Sequence, residues 1–338
     1  MRRFTLLLAV CALPLAAQTV KILVQNPQIL KELQAGGDLP SQARLVGVTG
    51  DTLGKEIVDA DAILVGGGLR PEHLQAGKKL RWVQTFSAGV EQLLHRSGSN
   101  FLRDSNIILT NNQVVQGPEI ADHAFAMLLT LTRQIPKYIA NRQKGVWQGG
   151  NEGLLELNGR TAVVIGVGGI GFNIATRAWA FGMTVIGVDP EDYAMTPIVS
   201  RYVKPDRLDE VLPQADVVFV SAPHTEMSHK MVGSKQFALM KQNSFFIAVS
   251  RGSLYDLSSL VTALDSRRLA GAGVDVTDPE PLPQGHALWK FDNVLITPHI
   301  AGRSDKDHAR MLGTVRENIK RFAAGQPLVN VVDKQKGY

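Results

Sequence analysis

A chain of 338 residues is too long for one compact core and suits two domains. With 44% hydrophobic and 20% charged residues it reads as globular, which excludes a fibrous or low-complexity polypeptide. The net charge is only +5 and is not gathered into a run, so nucleic acid is a poor partner, whereas a mildly basic surface suits small anionic ligands. The one cysteine, Cys11, lies near the start, which leaves the rest of the chain without a thiol for disulfides, zinc–thiolate sites or nucleophilic catalysis.

Residues 1–19 carry Arg2-Arg3, then apolar residues 6–16, then Ala16-Ala17-Gln18. This order of charge, apolar stretch and small residues predicts a secretory leader cleaved after Ala17, hence an exported protein. The other reading is a misplaced start or an unused leader, with the protein in the cytoplasm. The apolar stretch is too short to span a bilayer and no later segment qualifies, so no membrane association is expected once the leader is gone.

From residue 20 onward, short apolar strands alternate with helical segments. Strands are predicted at 21–24, 44–48, 62–65, 81–85 and 107–110, the pattern of a parallel α/β unit. Sustained helical periodicity over 118–143 opens with Pro118-Glu119 and reads as one long connector. A second α/β series follows, with strands at 161–165, 184–188, 217–220, 245–249, 272–274 and 294–297. A last helix is expected over about 304–324. The fold class predicted is therefore α/β with two doubly wound parallel sheets, the second unit inserted into the first.

Within the second unit, Gly166-Val-Gly168-Gly169-Ile170-Gly171 sits between a strand and a helix. Gly166 permits the tight turn, Gly168 lets the backbone approach a pyrophosphate, and Gly171 allows close helix–strand packing. The free N–H groups at the helix start would face the phosphates. The next strand ends at Asp189, where a carboxylate can accept both ribose hydroxyls and repel a 2′-phosphate. No arginine adjoins it, so NAD is expected rather than NADP.

Three further polar residues lie beyond strands of this unit: Arg251 in Val-Ser-Arg-Gly, Glu280 five residues after Asp275, and His299 in Thr-Pro-His-Ile-Ala-Gly. The carboxyl ends of parallel strands are where such sheets bind ligands, so all three could meet in one crevice. Reducing a 2-keto acid needs a guanidinium for the carboxylate, an imidazole to move the proton and a carboxylate to orient that ring. Singly, each residue has a structural reading: surface cation, loop carboxylate, strand-end histidine. The histidines, among them His95, His123 and His286, lack metal-ligand spacing, so no metal is expected.

Taken in order, these motifs resemble the NAD-dependent D-isomer-specific 2-hydroxyacid dehydrogenases over about residues 21–332. The resemblance implies a Rossmann NAD-binding domain over 116–299, inserted into a flavodoxin-like substrate domain formed by 20–115 and 300–338. It implies an oxidoreductase moving hydride between NAD(H) and a small D-2-hydroxy acid/2-keto acid pair. Arg251 would bind substrate, His299 would be the acid/base and Glu280 its partner. Backbone N–H groups of Ser87, Ala88 and Gly89 would grip the carboxylate. Asp275 would lie on the nicotinamide side and Ser221-Ala222-Pro223 on the adenosine side. A homodimer built through the arm near Trp147 is implied as well. Residues 82–90 most resemble members acting on glyoxylate or hydroxypyruvate. Pro298 before His299 is unlike the glutamine–histidine pair of formate dehydrogenases. The short stretch after the last helix leaves no room for the regulatory domain of long phosphoglycerate dehydrogenases. His224, Ser228, Ala248 and Asp122 depart from the family's usual residues and bear on the shape of the cofactor cleft. The alternative is an exported protein that binds NAD or a keto acid without turnover.

Overall fold

The computed structural model describes residues 19–67, 69–95, 100–150 and 153–338, His95 without its side chain, so all of the expected leader but Thr19 lies outside the described residues. The first sheet holds β1 (Val20–Val24), β2 (Ala43–Gly47), β3 (Ala62–Val65), β4 (Trp82–Thr85) and β5 (Ile108–Thr110) in the order β2-β1-β3-β4-β5. Every pairing is parallel, which is the flavodoxin-like order. The second holds β6 (Thr161–Ile165), β7 (Thr184–Val188), β8 (Arg201–Val203), β9 (Val217–Val220), β10 (Ser244–Ala248), β11 (Leu269–Val274) and β12 (Val294–Ile296). Its order, β12-β11-β10-β9-β6-β7-β8, is again all parallel and is that of a Rossmann sheet. The expected pair of doubly wound parallel sheets is what the chain forms.

Continuous β-branched runs such as Thr-Ala-Val-Val-Ile in β6 form strands buried on both faces, because helices cover each sheet above and below. The chain leaves the first sheet through the helix Gly117–Thr132 and returns through the helix Asp307–Ala323. Val315, Ile319 and Phe322 of the returning helix bury against Ile22, Leu64 and Trp82 of the first sheet. A buried polar chain fixes its seat. Trp82 Nε1 donates to Thr110 Oγ1 at 2.7 Å, Thr110 Oγ1 donates to Gln84 Oε1 at 2.7 Å, and Asn318 Nδ2 donates to the same oxygen at 3.0 Å. With each buried polar atom satisfied in this way, one seating is favoured over others.

Two expectations about elements are corrected. The connector over 118–143 is two helices, Gly117–Thr132 and Ile135–Gln143, because Gln134 is left-handed at φ 51° and Pro136 follows it. The strand β8 was not expected at all: it is a three-residue edge strand paired only with β7, too short to show a pattern.

Candidate active site

A cleft of about 580 Å³ runs between the two sheets, lined by residues 86–91 and 111–116 on one side and by the glycine turn, Asp189, Arg251 and His299 on the other. A shallower hollow of about 720 Å³ at the carboxyl ends of β1 to β3 holds Arg70 and His73 but none of the expected site residues.

The glycine turn is built as its sequence requires. Gly166 sits at φ 85°, and a Cβ there would lie 2.4 Å from Ala222 Cα. A Cβ on Gly171 would lie 1.8 Å from the Gly166 carbonyl oxygen, so only glycine lets the helix Gly169–Ala180 start this close to β6. The helix start, with Gly168, Gly169 and Ile170, faces the cleft and presents first-turn N–H groups. Glycines without room for a side chain, an aligned helix start and a cleft of ligand size together fit a bound dinucleotide.

Asp189 ends β7 and is 7% exposed. Its Oδ2 accepts from Val167 N at 2.7 Å and its Oδ1 from Glu191 N at 2.9 Å. Beside it, burial first and the Asp189 charge second push the Tyr193 hydroxyl up to about 12, so it stays a donor. Ser221 Oγ donates to the Gly166 carbonyl at 2.8 Å and braces the turn. Ala222 packs on Gly166, and the Pro223 carbonyl accepts from Ser228 Oγ at 2.7 Å.

At the other end, His299 Nδ1 lies 2.9 Å from Glu280 Oε2. Glu280 Oε1 accepts from Thr277 N at 3.0 Å, which fixes the carboxylate. An ionised carboxylate only accepts, so the hydrogen of this pair sits on Nδ1. Nε2, in the cleft, makes no hydrogen bond among the described residues. Asp275 is 2% exposed, and its oxygens take Thr297 Oγ1 at 2.5 Å, Ile300 N at 2.9 Å and Ala301 N at 2.9 Å. It thus holds the loop that carries His299, whose backbone is left-handed at φ 53°. Gly252 allows the neighbouring approach, since a Cβ there would lie 2.0 Å from Thr277 C.

Arg251 donates through Nε to Glu91 Oε1 at 2.8 Å and through Nη1 to the Ser250 carbonyl at 2.8 Å. Its Nη2 lies against Gly89, where a Cβ would be 1.8 Å away. Of the three N–H groups expected to grip a carboxylate, that of Ser87 is drawn to Thr85 Oγ1 at 3.3 Å. Those of Ala88 and Gly89 have no acceptor among the described residues.

The sequence reading missed Glu91 and the tail. Glu91 opens the helix Glu91–His95, where an acidic residue ordinarily means no more than a favourable helix end. In the tail, Lys334 Nζ donates to the carbonyls of Leu102, Ser105 and Ile107. Lys336 Nζ and Tyr338 Oη then reach across to Glu191 Oε1 at 2.6 and 2.8 Å, beside Asp189. Nothing local in the sequence marks those pairings.

The profile described as "D-isomer specific 2-hydroxyacid dehydrogenase, NAD binding domain" matches residues 125–301. A glyoxylate reductase of Korarchaeum cryptofilum is 31% identical over 83% of this chain and 85% of its own length. A D-3-phosphoglycerate dehydrogenase of Methanocaldococcus jannaschii is 31% identical over 93% of this chain, which spans only 59% of that protein. Among solved structures, a D-isomer specific 2-hydroxyacid dehydrogenase family protein from Aeromonas salmonicida superposes with a TM-score of 0.79 at 29% identity, covering 94% of this chain and 100% of that one. One from Xanthobacter autotrophicus, solved in complex with NADPH and MES, reaches 0.80 at 25% identity, covering 95% and 100%. On the profile match and these relatives, the chain belongs to the D-isomer-specific 2-hydroxyacid dehydrogenase family.

Proposed function

We propose that the protein interconverts a small 2-keto acid and its D-2-hydroxy acid, with NAD as the dinucleotide. The observation that carries this reading is the imidazole of His299, backed by Glu280 at 2.9 Å and facing the same cleft as Arg251 and the glycine turn. When bound, the nicotinamide supplies or takes up the hydride. The Arg251 Nη2 edge and the N–H groups of Ala88 and Gly89 hold the substrate carboxylate, and the guanidinium polarises the keto oxygen. His299 Nε2 gives a proton to that oxygen during reduction and takes it back in oxidation. Glu280 keeps Nδ1 protonated and stabilises the imidazolium formed on the way.

The preference for NAD rests on the Asp189 carboxylate at the end of β7, which repels a 2′-phosphate. The likeness to a glyoxylate reductase supports a small keto acid. A homodimer through the arm near Trp147 is supported by the full exposure of that side chain and by the exposure of Ile135, Ile139 and Val146. Export rests on the composition of residues 1–19, and N-terminal sequencing of the protein from its host tests it.

The deciding experiment follows NADH and NADPH absorbance with glyoxylate, hydroxypyruvate, pyruvate and phosphohydroxypyruvate, with chiral analysis of every product except glycolate, which is achiral. Turnover with NADH giving the D isomer is expected. A protein that binds NADH and consumes none with any of these acids would be a binding protein, and the dehydrogenase reading would fall.

A further inference from the structure

The ion pair between Arg251 and Glu91 joins residues 160 apart in sequence that sit on opposite walls of the cleft. Both side chains are more than two-thirds buried, at 29% and 27% exposure. Burial pushes the Glu91 carboxyl up, yet the Arg251 charge and hydrogen bond outweigh it and hold the group below its ordinary value. Glu91 is therefore ionised at neutral pH.

The two anchors of Arg251 lie on different sides of its guanidinium, since Nε–H faces the side of Nη2 and Nη1 lies on the side of Cδ. Nε donates to Glu91 and Nη1 to the Ser250 carbonyl, at 2.8 Å each. Together with the bond to Cδ, these two contacts fix the plane of a rigid, planar group, so the remaining Nη2 has one direction to face. That direction is the Ala88-Gly89 turn, where Nη2 occupies the space a side chain at position 89 would need. The Ser250 contact comes from the arginine's own neighbour and leaves rotation about it open; the Glu91 contact stops that rotation.

We propose that Glu91 is a positioning residue that aims the Arg251 fork at the substrate carboxylate, and does so only when the two walls of the cleft are together. Glu91 belongs to the first sheet's unit and Arg251 to the second, so the guanidinium finds its second anchor on closure. Carboxylate recognition is thereby tied to the closed arrangement. The inference rests on the reading of Arg251 as the carboxylate-binding group, and it extends that reading to a residue outside the histidine–glutamate–arginine set.

The test measures binding of oxamate, an unreactive amide analogue of a 2-keto acid, by calorimetry on the NADH-loaded protein, so that it stands apart from turnover. Glu91→Ala should weaken oxamate at least tenfold while the NADH dissociation constant and the melting temperature stay at wild-type values. Glu91→Gln keeps an acceptor for Nε and should recover at least half of that loss on a logarithmic scale. Equal losses in the two variants, or no loss in Glu91→Ala, would overturn the proposal. A Glu91→Ala protein in which NADH affinity and melting temperature fall along with oxamate affinity would overturn it too, leaving Glu91 a structural tie. A wild-type protein that binds oxamate without turning over any keto acid would refute the dehydrogenase reading and leave this one standing.

Discussion

Replacing Asp275 by alanine tests whether this carboxylate builds the site or touches the cofactor. It receives hydrogen bonds from Thr297 Oγ1, Ile300 N and Ala301 N with its side chain 1% exposed. Alanine removes the acceptor of the buried Ala301 N and of the part-buried Ile300 N, while the Thr297 hydroxyl keeps His123 Nε2 at 2.9 Å; at about 1–3 kcal/mol for each stranded backbone donor, and with neighbouring losses not additive, a total of roughly 2–4 kcal/mol is expected. That is a large share of the roughly 5–15 kcal/mol that holds a domain folded. The freed loop carries His299, the proposed proton carrier, and displacing a reacting group by about 1 Å can cost about a hundredfold in rate. The assays are the urea midpoint of unfolding and kcat for keto acid reduction. Asp275→Ala should lower both sharply, and Asp275→Asn, which retains one acceptor oxygen, should fall between. An alanine variant with unchanged midpoint but weakened NADH binding would make Asp275 a cofactor contact and refute the anchoring argument.

Three more outcomes follow from the geometry. Asp189→Ala should lower the ratio of kcat/KM for NADH over NADPH by at least about tenfold, because removing the charge ends the repulsion of a 2′-phosphate; an unchanged ratio would assign ribose selection to another residue. Gly252→Ala forces a Cβ to within 2.0 Å of Thr277 C, and should cost keto acid turnover more than NADH affinity, read by kcat beside NADH fluorescence titration. In the hollow at the first sheet, burial first and Arg70 second hold the His73 imidazole below its ordinary 6.5. The fold thus favours the neutral ring, so its contribution is complete above pH 6.5 and is lost as pH falls through the lower folded value. The melting temperature of wild type should drop between pH 7.5 and 5 more steeply than that of His73→Gln; parallel curves would exclude His73 as the titrating group.

The strands and the glycine turn were legible because each leaves a local mark. A run such as Val217–Val220 is apolar throughout since helices cover both faces of its sheet. The turn at Gly166 needs a residue without a Cβ, and the sequence shows one. The same logic explains what was missed. β8 lies at an edge with two of its three side chains half-buried, and gives no pattern to find. The helical period over 118–143 survives a one-residue left-handed break at Gln134, because Leu128, Leu131, Ile135 and Ile139 keep a helical spacing across it and the backbone angle itself leaves no trace in periodicity. Glu91 and the tail lysines act through partners over a hundred residues away, and a pairing of that kind is a property of the folded chain alone.

Spare hydrogen-bonding capacity divides the residues around the cleft into two groups. Asp275, Ser221 and Asp189 carry the motif positions, yet each has its oxygens engaged by the chain itself, so their first effect is to hold a loop or a turn in place. His299 Nε2, Arg251 Nη2 and the N–H groups of Ala88 and Gly89 have no such partner among the described residues, and these are the atoms left to meet a ligand. They come from both sheets. Among the described residues, contacts also cross the cleft: Glu91 to Arg251 beside the Ala88-Gly89 turn, and Lys336 with Tyr338 to Glu191 beside Asp189. Neither sheet alone brings these atoms together, so the proposed chemistry needs both walls, and each tie acts locally: the loss of Glu91 bears on the Arg251 fork, and the loss of the Lys336 and Tyr338 contacts bears on the Asp189 end of the cleft.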